Sequence, residues 1–228
     1  MINRIINEKI RKTLFKGKAI ILMGCRQIGK TTSLNEIFSV ENDVLWLSGD
    51  DSDTRDLFEN ITSDRLKTIF GNKKIIVIDE AQRIADVGLK LKLITDNIKD
   101  LQLVATGSSA FELADKTKES LTGRKREFQM YPLSFKEMVE HHGFITERRL
   151  LQHRLVYGYY PEVVTNPGDE KLILKSLSDS YLYKDVLALD YIKKSDKLIK
   201  LLQALAYQIG SQVSYNELSQ IVGVDSKT

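Results

Sequence analysis

Short apolar runs alternate with helix-like stretches over the first 135 residues of the chain. The runs cover residues 19–23, 44–47, 75–78, 101–105 and 127–131. The first four are continuously apolar, which is typical of strands buried on both faces of a sheet. Strands that alternate with helices predict a parallel sheet covered on both sides. We therefore expect an α/β fold with a five-stranded parallel sheet.

The strand pattern fades after Pro132, and helical spacing takes over. Residues 134–140, 147–157 and 170–190 favour helices, and another apolar stripe runs from Ser195 to a stop at Gly210. Ser214 and Glu217 form an S-x-x-E capping box, with a turn predicted at Gly223. We expect three domains: a core over 1–135, a helical lid over 136–193, and a partial winged helix or helix-turn-helix over 194–228.

The composition of the chain limits the compartment and the binding partners that can be expected. The 228 residues are 42% hydrophobic and 29% charged, with a net charge of +3, which neither favours nor excludes nucleic acid. Cys25 is the only cysteine, so an internal disulfide is impossible and a reducing compartment is expected. Early charges argue against a signal peptide, and the apolar runs are too short for a membrane span. We expect a cytoplasmic protein without a membrane partner.

The segment "GCRQIGKT" fits the pattern G-x-x-x-x-G-K-[ST] at every fixed position, between a predicted strand and a predicted helix. Glycines let the backbone wrap around phosphates, and the helix start adds a positive end. Lys30 would reach the β- and γ-phosphates, and the Thr31 hydroxyl would hold Mg²⁺. The segment predicts ATP and Mg²⁺ as cofactors, bound by Gly24, Cys25, Arg26, Gln27, Ile28, Gly29, Lys30, Thr31 and Thr32.

An acidic pair follows the third predicted strand, in "KKIIVIDEAQ". Ligands of open α/β sheets bind at the carboxyl ends of strands, where Asp79 and Glu80 would lie. Asp79 is expected to join Thr31 at the metal. A second carboxylate beside it, Glu80, would deprotonate the attacking water, which favours hydrolysis over transfer to a small acceptor.

Two later segments offer further catalytic groups. In NTPases with a catalytic glutamate, the strand that ends in "LVATGSS" lies between the strand of the phosphate loop and that of the acidic pair. Its tip would place Thr106 or Ser108 near the γ-phosphate, and the sequence does not choose between them. Arg124, in "LTGRKREF", is the candidate arginine finger, acting within its own chain or on a neighbour in a homo-oligomer.

The motifs together resemble the predicted AAA-type ATPases of archaea and bacteria. The segments that carry the resemblance are "GCRQIGKTT", "VIDEAQ", "TGSSAFEL", "LTGR", "YPLSFKE", "YGYYPEVV", "YKDV" and "QIGSQVSYNELSQIVGVDSKT". In that family the core is followed by a winged helix and a nuclease-like domain of unsettled function. The resemblance implies that Thr228 is a truncation.

The resemblance also implies a role for Pro161. In related signal-transducing ATPases, a glycine–x–proline element after the core approaches the nucleotide and links it to the winged helix. The matching segment here is "GYYP", which has one more residue between its glycine and its proline. Pro161 is accordingly a candidate nucleotide-binding residue.

Three functions remain open from the sequence. The leading hypothesis is an Mg²⁺-dependent ATPase that moves its lid and winged helix; the alternatives are a slow nucleotide-gated switch and the ATPase part of a DNA-processing protein. The charges of residues 195–228 cancel, whereas DNA binding favours a basic surface. The domain predicted over 194–228 is therefore more typical of a lid than of a DNA-binding domain. No N-K-x-D motif is present, which favours ATP over GTP.

Overall fold

A computed structural model describes residues 2–59, 61–107, 121–179 and 195–223. Its sheet contains five parallel strands in the spatial order β2-β3-β4-β1-β5. The strands are β1 Ala19–Met23, β2 Val44–Ser48, β3 Ile75–Asp79, β4 Gln102–Gly107 and β5 Lys125–Gln129. The five-stranded parallel sheet predicted from the apolar runs is confirmed. The central position of β4, between β1 and β3, is also as expected.

Helices connect and cover the strands. In chain order they are α1 Ile5–Arg11, α2 Lys30–Ile37, α3 Ser52–Phe58, α4 Ser63–Phe70 and α5 Val87–Asn97. Two apolar clusters fill the space between sheet and helices. One contains Ile21, Ile76 and Ile78, and the other contains Ile20, Leu22 and Val77. Because successive side chains of a strand point to opposite faces, the central strands contribute to both clusters and are buried on both faces.

Strand β2 differs from the expectation for a continuously apolar run. Its side chains are only partly buried, and Trp46 is 38% exposed. The reason is its position, since β2 is the outermost strand on its side of the sheet and has a strand neighbour, β3, on one side only. An apolar run identifies a strand but does not say whether it lies at the centre or at the edge.

The chain divides into two compact units, Met1–Lys171 and Leu172–Thr228. The first unit continues beyond the sheet with α6 Phe135–His142, α7 Phe144–Tyr157 and α8 Pro161–Thr165. Helix α6 begins in a capping box, in which Ser134 and Glu137 each accept a backbone amide of the other. Helix α7 begins directly after Gly143, whose φ of 92° suits a glycine.

Helix α9 spans Glu170–Leu177, and the rest of the helix predicted over 170–190 lies partly outside the described residues. The second unit contains α10 Ser195–Tyr207 and α11 Tyr215–Val222, which pack against each other. Ser214 accepts the amide of Glu217, and Gly223 adopts the left-handed conformation of a helix stop. The next helix start, at Asp225, falls outside the described residues. Among those described, no helix is both long and apolar enough to cross a membrane.

Candidate nucleotide-binding site

The loop of residues 24–29 leaves the carboxyl end of β1 and enters α2. A Cβ atom at Gly24 would come within 2.7 Å of the Met130 carbonyl oxygen, so only glycine fits there. Gly29, at the N-cap of α2, and Gln27 both have positive φ, of 95° and 56°. This backbone shape, with a helix start at its end, is suited to binding an anion.

Lys30 is buried against the loop itself. Its Nζ donates to the carbonyl oxygens of Gly24 at 2.8 Å and Cys25 at 3.0 Å, and the residue is 5% exposed. Burial lowers the pKa of Lys30, while the nearby charges of Glu80 and Asp79 act in the opposite direction. A buried ammonium group beside a loop of this shape is suited to binding phosphate.

Three oxygen-bearing side chains from separate elements meet at the carboxyl edge of the sheet. The Thr31 hydroxyl, on α2, donates to Asp79 Oδ2 at 2.8 Å, and the Thr106 hydroxyl, on β4, donates to Asp79 Oδ1. The structure thus brings together the residues that the sequence assigned to the metal. Hydroxyl and carboxylate oxygens are the ligands that Mg²⁺ prefers, so this set fits the ion. No cluster of three or more His, Cys, Asp or Glu side chains suited to a metal occurs among the described residues.

Glu80 is held in place through both its backbone and its side chain. Its backbone is left-handed, with φ 47°, and its amide donates to Thr106 Oγ1 at 3.1 Å. A Cβ atom at Gly49 would lie 2.3 Å from the Glu80 carbonyl oxygen, so this approach requires glycine. The side-chain amide of Gln82 donates to Glu80 Oε2 at 2.6 Å. Non-glycine residues with such a backbone cluster at functional sites.

A cavity of about 500 Å³ opens beside the phosphate loop. Its walls come from the loop and start of α2, from the N-terminal segment and from α8: they include Gly29, Thr32, Ile2, Arg4, Pro161 and Glu162. Pro161 lines the same cavity as Gly29 of the loop, and its contact with nucleotide stays a prediction. It is the first residue of α8, a position where a proline's missing amide costs nothing.

Sequence reasoning missed two side chains that contact the loop from outside. Arg4 Nη1 donates to the Ile28 carbonyl oxygen at 3.1 Å, and the Tyr160 hydroxyl donates to that of Arg26. Both partners are backbone atoms, which carry no residue-specific pattern. The capping box at Ser134–Glu137 is a helix signal that is visible in the sequence. No local sequence pattern indicates that Glu137 contacts Arg4, 133 positions away.

Arg124 lies at the amino edge of the sheet, where the strands begin, opposite the carboxyl edge that carries the phosphate loop. It precedes β5, whose first residue pairs with Ala19 at the start of β1, while the phosphate loop follows the end of β1. A strand of this length separates the two edges by about 13 Å. Arg124 Nε pairs with Asp96 Oδ1 at 2.6 Å, at the end of α5. The structure does not bring Arg124 to the site within its own chain, and Ser108 lies outside the described residues.

Comparison with protein families gives two matches. A model described as an AAA domain (AAA_14) matches residues 16–139, which include the phosphate loop, Asp79, Glu80 and Thr106. A second model, a domain of unknown function (DUF8612), matches residues 148–228.

Similar proteins extend the comparison over the whole chain. Two uncharacterized proteins of Methanocaldococcus jannaschii, MJ1544 and MJ1637, are 23% and 26% identical over 96% and 98% of this chain. The chain spans about half the length of these relatives, 53% and 56%. The solved structure of the Walker-type ATPase PABY2304 of Pyrococcus abyssi covers 98% of this chain and 88% of its own, with a TM-score of 0.54. At 15% identity that likeness shows a shared fold.

Proposed function

Because the chain belongs to the AAA domain family of P-loop ATPases, we propose that it is an Mg²⁺-dependent ATPase. The observation that carries the proposal is the hydrogen bond between Thr31 and Asp79, 48 positions apart. It joins the phosphate loop to the acidic strand end with oxygen atoms suited to one cation. The family match supports a nucleotide-binding, ATPase-like protein, and hydrolysis is our inference from Glu80 beside this pair.

In the proposed reaction, Lys30 leaves the loop carbonyls and contacts the β- and γ-phosphate oxygens. Thr31 and Asp79 would hold the ion, and Mg²⁺ would supply positive charge that offsets the negative charge of the phosphates. Glu80 accepts a proton from water as the water oxygen attacks the γ-phosphorus. The bond from that phosphorus to the β–γ bridging oxygen breaks, and ADP leaves. Thr106 positions Asp79 and the Glu80 backbone, since its hydroxyl already contacts both.

We place the nucleoside in the cavity beside Gly29 and Pro161. The loop and this cavity are adjacent, because Gly29 belongs to both, so a phosphate chain on the loop would lead its base toward α8. The helices α6 to α8 are proposed to act as a lid, supported by the contact of Tyr160 with the Arg26 carbonyl. We also propose that residues 194–228 form a partial winged helix. A cytoplasmic location is likewise part of the proposal.

The test is phosphate release from ATP, with Mg²⁺ and with the ion removed by EDTA. Thr31→Val keeps the shape of the side chain and removes the hydroxyl that would bind the ion. We expect release by the parent protein, none in EDTA, and a loss of at least about tenfold in Thr31→Val, the scale of one metal-ligand contact. The matched control is Thr68→Val on α4, whose hydroxyl donates to the Asp64 carbonyl oxygen of the same helix. Equal release by both variants and in EDTA would contradict the proposal.

One observation favours a second function, a switch that binds ATP and turns it over slowly. The amide of Gln82 already occupies Oε2 of Glu80, the group that would have to accept the proton. A switch of this kind retains nucleotide through purification. Mass spectrometry of nucleotide released from the denatured protein, together with the single-turnover rate, separates the two functions.

A further inference from the structure

The outer side of the phosphate loop is held by residues that lie outside the loop motif. A loop that turns its amides toward an anion directs carbonyl oxygens outward, and buried carbonyls need donors. Arg4 Nη1 supplies one for Ile28, which is 1% exposed. The same guanidinium donates through Nη2 to the Tyr131 carbonyl oxygen at 2.6 Å, just beyond β5. Arg4 therefore joins the loop to the chain that leaves the last strand.

The third donor of Arg4 reaches a buried carboxylate. Arg4 Nε lies 3.1 Å from Glu137 Oε1, with the two residues 7% and 5% exposed. Glu137 also accepts the amide of Ile5 at 2.9 Å and the amide and hydroxyl of Ser134 at 2.7 and 2.9 Å. Burial alone would raise the pKa of Glu137, but these hydrogen bonds and the charge of Arg4 lower it. The carboxylate is thus ionised and fixes Arg4 in one orientation.

A buried ion pair of this kind is a poor means of stabilising a fold, because desolvation of the two charges offsets their attraction. Its location suggests a different role. Arg4 lines the cavity beside Gly29, and its Nη1 is 3.8 Å from the Cβ position of that residue. The fork of the guanidinium can serve three acceptors in one plane, which a lysine cannot.

We propose that Arg4 is a positioning residue of the nucleotide site: held by Glu137, it fixes the Ile28 carbonyl and so keeps the loop amides directed at phosphate. The N-terminal segment and α6 are then parts of the phosphate-binding apparatus. The inference rests on the proposed function only in taking ATP as the ligand. The shape of the loop is a property of the protein without nucleotide.

The test uses a double variant, Arg4→Met with Glu137→Gln, which leaves no unpaired charge buried. Glutamine preserves the capping box at Ser134. Hydrogen exchange of amides 26–30 is measured without nucleotide, and ATP affinity is measured by titration. We expect exchange to quicken about tenfold and ATP affinity to fall about tenfold, the value of one charge-assisted hydrogen bond. Thermal unfolding checks that the variant remains folded.

Arg11→Met is the matched control, because Arg11 also belongs to the N-terminal segment and donates to a backbone carbonyl, that of Glu36 at the far end of α2. We expect parent-like loop exchange and ATP affinity in this variant. A second variant, Arg4→Lys, keeps a cation beside Glu137. It should stay folded, with loop exchange still faster than in the parent protein.

Parent-like exchange and affinity in a folded double variant would overturn the inference, as would full restoration of both by Arg4→Lys. A parent protein that binds no ATP would contradict the proposed function instead. In that case the loop-exchange comparison still decides the role of Arg4, because it requires no nucleotide.

Discussion

At the carboxyl edge of the sheet, Asp79 contacts both Thr31 and Thr106, and two buried cations, Lys30 and Arg4, contact backbone carbonyls of the phosphate loop. At the amino edge, Arg124 and Asp96 form an ion pair whose side chains are 43% and 37% exposed. Both edges carry charge, but the ion pair at the amino edge is exposed to solvent, whereas the cations at the carboxyl edge are buried. Such an arrangement is costly for folding and is typical of a binding site.

The largest effect on ATP binding should come from Lys30→Met, which keeps an apolar stem and removes the buried ammonium. ATP affinity should fall by at least about a hundredfold, because the lysine supplies the charge that reaches the β- and γ-phosphates. Stability should not fall, since burial already disfavours the charged lysine in the empty protein. Isothermal titration and thermal unfolding measure the two quantities. A stable variant with parent-like affinity would remove the main distinction between the two edges.

Arg4→Met by itself should give the largest effect on stability. It leaves the carboxylate of Glu137 buried without its cation, which typically costs about 3–5 kcal/mol in the free energy of unfolding. Chemical denaturation measures this loss. Adding Glu137→Gln should recover most of it, and a loss of equal size in single and double variants would show that the charge is not the cause.

The pH dependence of stability tests the ion pair of Arg4 and Glu137 in a second way. The pKa of Glu137 is below its usual 4.5 in the folded protein, so its contribution is present above that value and is lost as the pH falls through the lower, folded pKa. We therefore expect part of the acid destabilisation below about pH 4.5 to be absent in the Arg4→Met, Glu137→Gln double variant. Denaturation midpoints from pH 7 downward provide the check, and parallel curves for parent and variant would contradict it.

The smallest effect is expected at the amino edge. Arg124→Ala should change the free energy of unfolding by less than about 1 kcal/mol, as is usual for exposed ion pairs. ATP affinity should remain that of the parent protein, since Arg124 lies at the far edge of the sheet. The remaining prediction, that Arg124 acts on a neighbouring chain, is tested by measuring turnover against protein concentration. A loss of turnover seen only at concentrations where chains associate would assign Arg124 to a neighbour's site.

The features of the fold and the site that could be predicted from the sequence are those with a local pattern. The phosphate loop and the strand ending at Asp79 follow from residue spacing, and the central place of β4 follows from its similarity to NTPases with a catalytic glutamate. The role of Arg4 does not, because its three acceptors, Ile28, Tyr131 and Glu137, come together only in the folded chain. The exposure of Trp46 is of the same kind, since it depends on which strand ends the sheet.

We propose that the carboxyl edge hydrolyses ATP with Glu80 as the base. The most direct measurement is single-turnover hydrolysis of Mg-ATP by the parent protein and by Glu80→Gln, with ATP affinity determined for both. We expect that both bind ATP with similar affinity and that the variant loses at least about a hundredfold in rate, the lower range for a general base. Equal hydrolysis by parent and variant would contradict it.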